Sequence, residues 1–159
     1  KATGKDGIER FFTHSRDGTV RLWNAHNMHH VKTLKVSDCW VTSIAHFEQS
    51  NRIAVAAMDR TISYYDVSTE KAELLGQLTG LDTSPLCLGS WNDQLSEKLI
   101  VGDDCGNIAL YDTAKPGREG HEQTMSATSY RTTYDKGRHS DWVTKVQFYT
   151  DLNFMISSS

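Results

Sequence analysis

The sequence predicts an all-β chain assembled from repeated, small antiparallel modules. Three observations predict it. An eight-residue cassette occurs as Asp17-Gly18-Thr19-Val20-Arg21-Leu22-Trp23-Asn24, Asp59-Arg60-Thr61-Ile62-Ser63-Tyr64-Tyr65-Asp66 and Cys105-Gly106-Asn107-Ile108-Ala109-Leu110-Tyr111-Asp112, with Trp23, Tyr65 and Tyr111 lying 42 and 46 residues apart. Trp40-Val41-Thr42-Ser43-Ile44 returns as Trp142-Val143-Thr144-Lys145-Val146, 102 residues on. The apolar residues alternate or run in short blocks, and no helical period persists over a dozen residues. Repeats of about 40 residues mark stacked structural units.

Each element follows from local chemistry. Ile8 to His14 reads as a strand, and Asp17-Gly18 between alternating runs is a strong hairpin signal. Thr19 to Asn24 returns, with Val20 and Leu22 on one face and Arg21 and Trp23 on the other. His30 to Leu34 is a third strand. The second unit runs from Trp40 to Phe47, turns at Glu48 to Asn51, and continues through Ile53 to Ala57, Thr61 to Asp66 and Leu74 to Leu78. The third repeats that order with Leu86 to Trp91, Leu99 to Gly102 and Asn107 to Asp112. Thr132-Thr133-Tyr134 is available to close it. Between them, Ala114 to about Ser126 is polar, contains Pro116, Gly117 and Gly120, and reads as a long surface loop or a disordered insertion. Four meandering strands per unit is the pattern of a propeller blade. Val20/Leu22, Ile62/Tyr64 and Ile108/Leu110 fall in equivalent apolar slots, and a one-residue slip would turn every one of them to the wrong face.

Composition limits the function classes. The 159 residues are 38% hydrophobic and 9% aromatic, which suits a packed core. A net charge of −3 and a pI near 6.2 give no global pull toward nucleic acid or an anionic membrane. No run of eighteen apolar residues offers a membrane span. The N-terminal Lys1-Ala2-Thr3-Gly4 has no signal-peptide character. Cys39, Cys87 and Cys105 are odd in number and lack a Cys-x-x-Cys pair, so free thiols in an intracellular, cytoplasmic compartment are expected.

Taken as a group, these residues resemble the WD40-repeat family, whose repeats combine a Gly-His opening, a small-residue strand, an Asp-containing turn and a Trp-Asp ending. Here the endings are Trp23-Asn24, Tyr65-Asp66 and Tyr111-Asp112, and the opening is similar to Arg138-His139-Ser140-Asp141-Trp142-Val143. Phe154 to Ser159 resembles the small-residue strand of a further repeat. The resemblance implies an incomplete WD40-type β-propeller of about two whole four-stranded blades plus two partial ones. Residues 1–36 form a blade end lacking its opening strand, 37–80 one repeat, 81–136 a second with a polar insertion near 113–126, and 137–159 the start of a third. This is the expectation for a fragment of a longer ring. The structural positions that it assigns are Asp17, Trp23, Asp59, Tyr65, Tyr111, His139, Trp142 and Ser158, with Asp17 networked to Trp23 and His139 to Ser158. Arg60 stands where the turn asks for Gly, so a left-handed conformation there would be strained. Among WD-repeat proteins the divergent tandem-propeller type of cilia and flagella is similar.

Catalytic and cofactor chemistry find little support. His139-Ser140-Asp141 has the residue types of a hydrolase triad, but consecutive residues cannot converge as a triad must. His26, His29 and His30 with Cys39 match no zinc spacing. His46 fills the slot that Phe148 holds later and reads as a packed histidine. Asp103-Asp104 lacks the other oxygen ligands of a calcium loop. No cofactor and no metal are therefore expected. Arg131, Lys136, Arg138 and Lys145 interleave with Tyr130, Tyr134 and Trp142, a pattern that can serve single-stranded nucleic acid. A solvated loop and a buried repeat Trp142 account for the same residues. The resemblance implies a non-enzymatic scaffold for other proteins, without nucleic acid or membrane, docking through exposed turns at Arg16, Arg60, Asp103 and the Ala114–Ser126 loop. An enzyme completed by channel residues of further blades, or a nucleic-acid module, remains the alternative.

Overall fold

Strand follows strand through a computed structural model that describes residues 2–4, 7–92, 97–112, 123–126, 131–133 and 138–159. The first sheet holds β1 (Ala2–Thr3), β2 (Glu9–His14), β3 (Thr19–Asn24) and β4 (His30–Lys35) in that spatial order. The second takes β5 (Val41–Phe47), β6 (Arg52–Ala57), β7 (Thr61–Asp66) and β8 (Glu73–Thr79), and the third β9 (Pro85–Asn92), β10 (Glu97–Asp103), β11 (Ile108–Asp112) and β13 (Arg131–Thr133). A two-stranded sheet pairs β14 (Lys145–Tyr149) with β15 (Phe154–Ser158). Pairing among these strands is antiparallel. The described residues form a nearly all-β arrangement, consistent with the expected incomplete propeller, whose sheets follow one another in chain order without closing into a barrel.

Two details differ from the expectation. The first sheet has an opening strand after all, because Ala2 and Thr3 pair with Arg10 and Glu9. Part of the insertion is also a strand: β12 (Gln123–Ser126) pairs parallel with β8 as a fifth strand of the second sheet. Residues 113–122 of the expected loop, and Tyr134 of the expected closing strand, lie outside the described residues.

The core is three seams, each between neighbouring sheets. Val20 and Leu34 of the first blade meet Val41, Ile53, Val55 and Tyr65 of the second. Ala54, Ala56, Ile62 and Tyr64 meet Leu88, Leu99, Val101 and Tyr111 of the third. Cys87, Ile100 and Ile108 meet Val143 and Val146 of the fourth. Strand alternation therefore divides each cassette: Ile62 and Tyr64 face the following blade, and Tyr65 faces the preceding one. Trp23 lies on the outer face of the first sheet, half-buried and stacked on Phe11 with centroids 6.2 Å apart.

The tight turns carry the conformations their residues predict. Gly18 and Gly106 are left-handed, at φ 77° and 83°. Arg60 occupies the equivalent turn slot at φ 64°, so the strained conformation is present there without the glycine. Asn51 and Asn153, 102 residues apart, are both at φ 51° in the turns that precede β6 and β15. Asn tolerates this region better than most residues.

Candidate functional site: the rim of turns

The β2–β3, β6–β7 and β10–β11 turns share a rim with the segments that enter β5, β9 and β14. Backbone bonds lock turn to linker. The Gly18 carbonyl accepts from Val36 and Ser37 N–H, and the Gly106 carbonyl from His139 N–H. The Ser15 carbonyl accepts from Val41, and the Asp103 carbonyl from Val143. Both glycines are required by space as well as by φ. A Cβ on Gly18 would sit 1.9 Å from the Ser37 carbonyl oxygen, and one on Gly106 2.2 Å from that of His139.

Side chains repeat the clasp. Ser37 Oγ donates to Asp59 Oδ2 at 2.6 Å, and Thr83 Oγ1 donates to Asp103 Oδ2 at the same distance. Sequence reasoning missed Ser37 and Thr83, although they lie 46 residues apart, the spacing of Tyr65 and Tyr111. Asp103 also accepts from the backbone N–H groups of Cys105 and Asn107 and from Asn107 Nδ2. It is 5% exposed, so the expectation of an exposed contact residue is corrected: its carboxylate is consumed within the turn. Asp17 stays exposed, and the Thr19 hydroxyl and N–H hold its pKa below the usual value.

The expected networks are present only in part. Trp23 Nε1 donates to Thr13 Oγ1 at 2.9 Å, whereas Asp17 binds Thr19, so the expected Asp17–Trp23 link is replaced by Thr13. His139 Nε2 lies 2.7 Å from Ser157 Oγ. The expected partner, Ser158, instead meets Thr144, because adjacent strand residues point to opposite faces. Tyr65 and Tyr111 are 7% and 3% exposed and fill the aromatic slot in the second and third blades.

The rim carries exposed aromatic and basic groups. The Arg16 guanidinium lies over the Trp40 ring, 4.4 Å from its centroid, in cation–π geometry. Trp40 is 37% exposed and Trp142, its repeat mate, 55%. The expectation of a buried Trp142 is therefore corrected, because its side chain lies on the entry segment ahead of β14, outside the sheet. Arg60 is exposed at its turn. Lys35 pairs with Asp38 at 3.3 Å.

Ile44, His46, Glu48, Ser90, Gln147 and Phe148 help line an open trough of about 400 Å³. Among the described residues, no group of three or more His, Cys, Asp or Glu could hold a metal ion. No helix among them is long and apolar enough to cross a membrane.

With turns, seams and rim in place, the comparison with known families is decisive for one stretch: the profile described as WD domain, G-beta repeat matches residues 28–66. Those residues are a WD40 repeat. The matched stretch runs from β4 to the end of β7, so one WD40 repeat supplies the outer strand of the first sheet and three strands of the second. WD40 repeats in general serve as scaffolds for protein interaction.

Proposed function

We propose that this chain is a non-enzymatic scaffold segment that docks other proteins on its rim of turns. The observation that carries the reading is the pair of exposed tryptophans, Trp40 beneath Arg16 and Trp142, set at equivalent places on linkers that the turns clasp. Trp and Arg dominate the energetics of protein interfaces, and a rigid backbone beneath them lowers the entropy lost on docking. Arg60 is a further contact. The free thiols Cys39, Cys87 and Cys105 support an intracellular setting, and the resemblance to divergent tandem-propeller proteins supports a cilium or flagellum.

The test combines Trp40→Ala and Trp142→Ala, both outside the seams. Site-specific photo-crosslinking from Arg16 and Arg60 positions is expected to capture proteins with the wild-type chain and to lose them with the double variant, while circular dichroism stays β-rich. Capture that is unchanged by the double variant overturns the rim as the docking face. Turnover of broad ester or peptide substrates, abolished by one trough substitution, would overturn the non-enzymatic reading.

A further inference from the structure

The three seams differ at one repeated slot. His46, Ser90 and Phe148 are register equivalents: they pair with Ile53, Leu99 and Met155 respectively. At the third seam, Phe148 stacks on Trp91 with centroids 4.5 Å apart. At the first, His46 faces Phe12 of β2 at 6.5 Å. His46 is thus the titratable member of the set. Its Nε2 is buried and has no hydrogen-bond partner.

We propose that His46 makes the seam between the first and second blades acid-labile, so that protonating its imidazole loosens that seam while the other two stay closed. Neutral, the ring packs as a flat, mostly apolar body against Phe12, with Nε2 unpaired in either tautomer. Protonated, both ring nitrogens are N–H donors sharing a positive charge, Nε2 has no acceptor, and burying an unpaired charge is strongly unfavourable.

The surroundings agree. Burial is the largest influence on His46 and lowers its pKa from 6.5. Glu48 in the turn after β5 and Glu97 at the start of β10 oppose it more weakly. Glu97 is engaged by Ser50 N–H and Oγ. On β2, Phe12 is flanked on the same face by Arg10 and His14. Arg10 is directed to Glu70 at 3.4 Å, and His14 Nδ1 lies 2.9 Å from the Val41 carbonyl oxygen. From β1 the neighbouring side chain is Thr3, and across the trough stand Ser90 and Gln147. None of the described hydrogen bonds offers Nε2 an acceptor.

The sign follows from linkage. A group whose folded pKa is depressed stabilises the fold above its unfolded value of 6.5, and that stability is lost as pH falls from 6.5 toward and through the lower folded pKa. Hydrogen exchange on the full chain at pH 7.5 and 5.5, corrected for intrinsic rates, tests it. Amide protection in β2 and β5 is expected to fall by about threefold or more, with β9 and β14 unchanged. In His46→Phe, which installs the residue of the third seam, the fall disappears. An equal fall in the variant, or an equal fall at all three seams, overturns the proposal. Should the variant not fold, an NMR titration of the unmodified chain decides: a His46 midpoint at or above 6.5 with the seam intact also overturns it.

Discussion

At the scale of single residues, environment separates side chains that look alike in sequence. Tyr111 is 3% exposed inside a seam, whereas Trp23, its cassette equivalent, is half-buried on an outer face. Tyr111→Ala should therefore destabilise by about 3 kcal/mol or more and Trp23→Ala by about half of that, measured by chemical denaturation. Gly106→Ala drives a methyl into a backbone oxygen 2.2 Å away and is expected to cost more than 2 kcal/mol, as a φ-incompatible change does. Arg60→Gly should be neutral to stabilising by up to about 1 kcal/mol, because it relieves a left-handed Arg at φ 64°. The thiols separate too. Burial pushes Cys87 up to about 11, while Cys39 and Cys105 are exposed. A disulfide-exchange reagent at pH 8 is expected to label Cys39 and Cys105 in the folded chain and Cys87 only on unfolding. The arrangement of Asp103 and Trp142 was not legible in sequence, whereas the packed His46 was. Turn position says nothing of where a carboxylate is spent, and a repeated Trp looks the same inside a sheet or on a linker.

At the scale of elements, the strands were legible because alternation and tight-turn residues agree. Thr19–Asn24 and Thr61–Asp66 have the expected bounds, and others differ by a residue or two. β1 and β12 were not legible: two residues are too few to alternate, and a parallel partner carries no turn signal. A further repeat did lie in plain view. Arg10, Arg52 and Lys98 are in cross-strand register with Asn24, Asp66 and Asp112, so a basic residue recurs opposite the last position of each cassette. The His139–Ser157 bond shows how register sets chemistry. Ser157→Ala is expected to cost about 1 kcal/mol by thermal denaturation, and Ser158→Ala less than half of that, since its hydroxyl meets only an exposed Thr144.

At the scale of the molecule, seams rather than sheets set the stability, and each depends on close approach. A Cβ on Gly102 would lie 2.6 Å from both Cys87 Sγ and Val143 Cγ1, so Gly102→Val should separate the third and fourth blades while leaving the first seam protected in hydrogen exchange. The WD40 repeat at residues 28–66 straddles two of those sheets, lending its first strand backward and its other three forward. That offset has a genetic consequence. Recombination that deletes one such unit would join β1, β2 and β3 to β8 as their outer strand, so copy number can drift while the four-strand meander is restored at the junction.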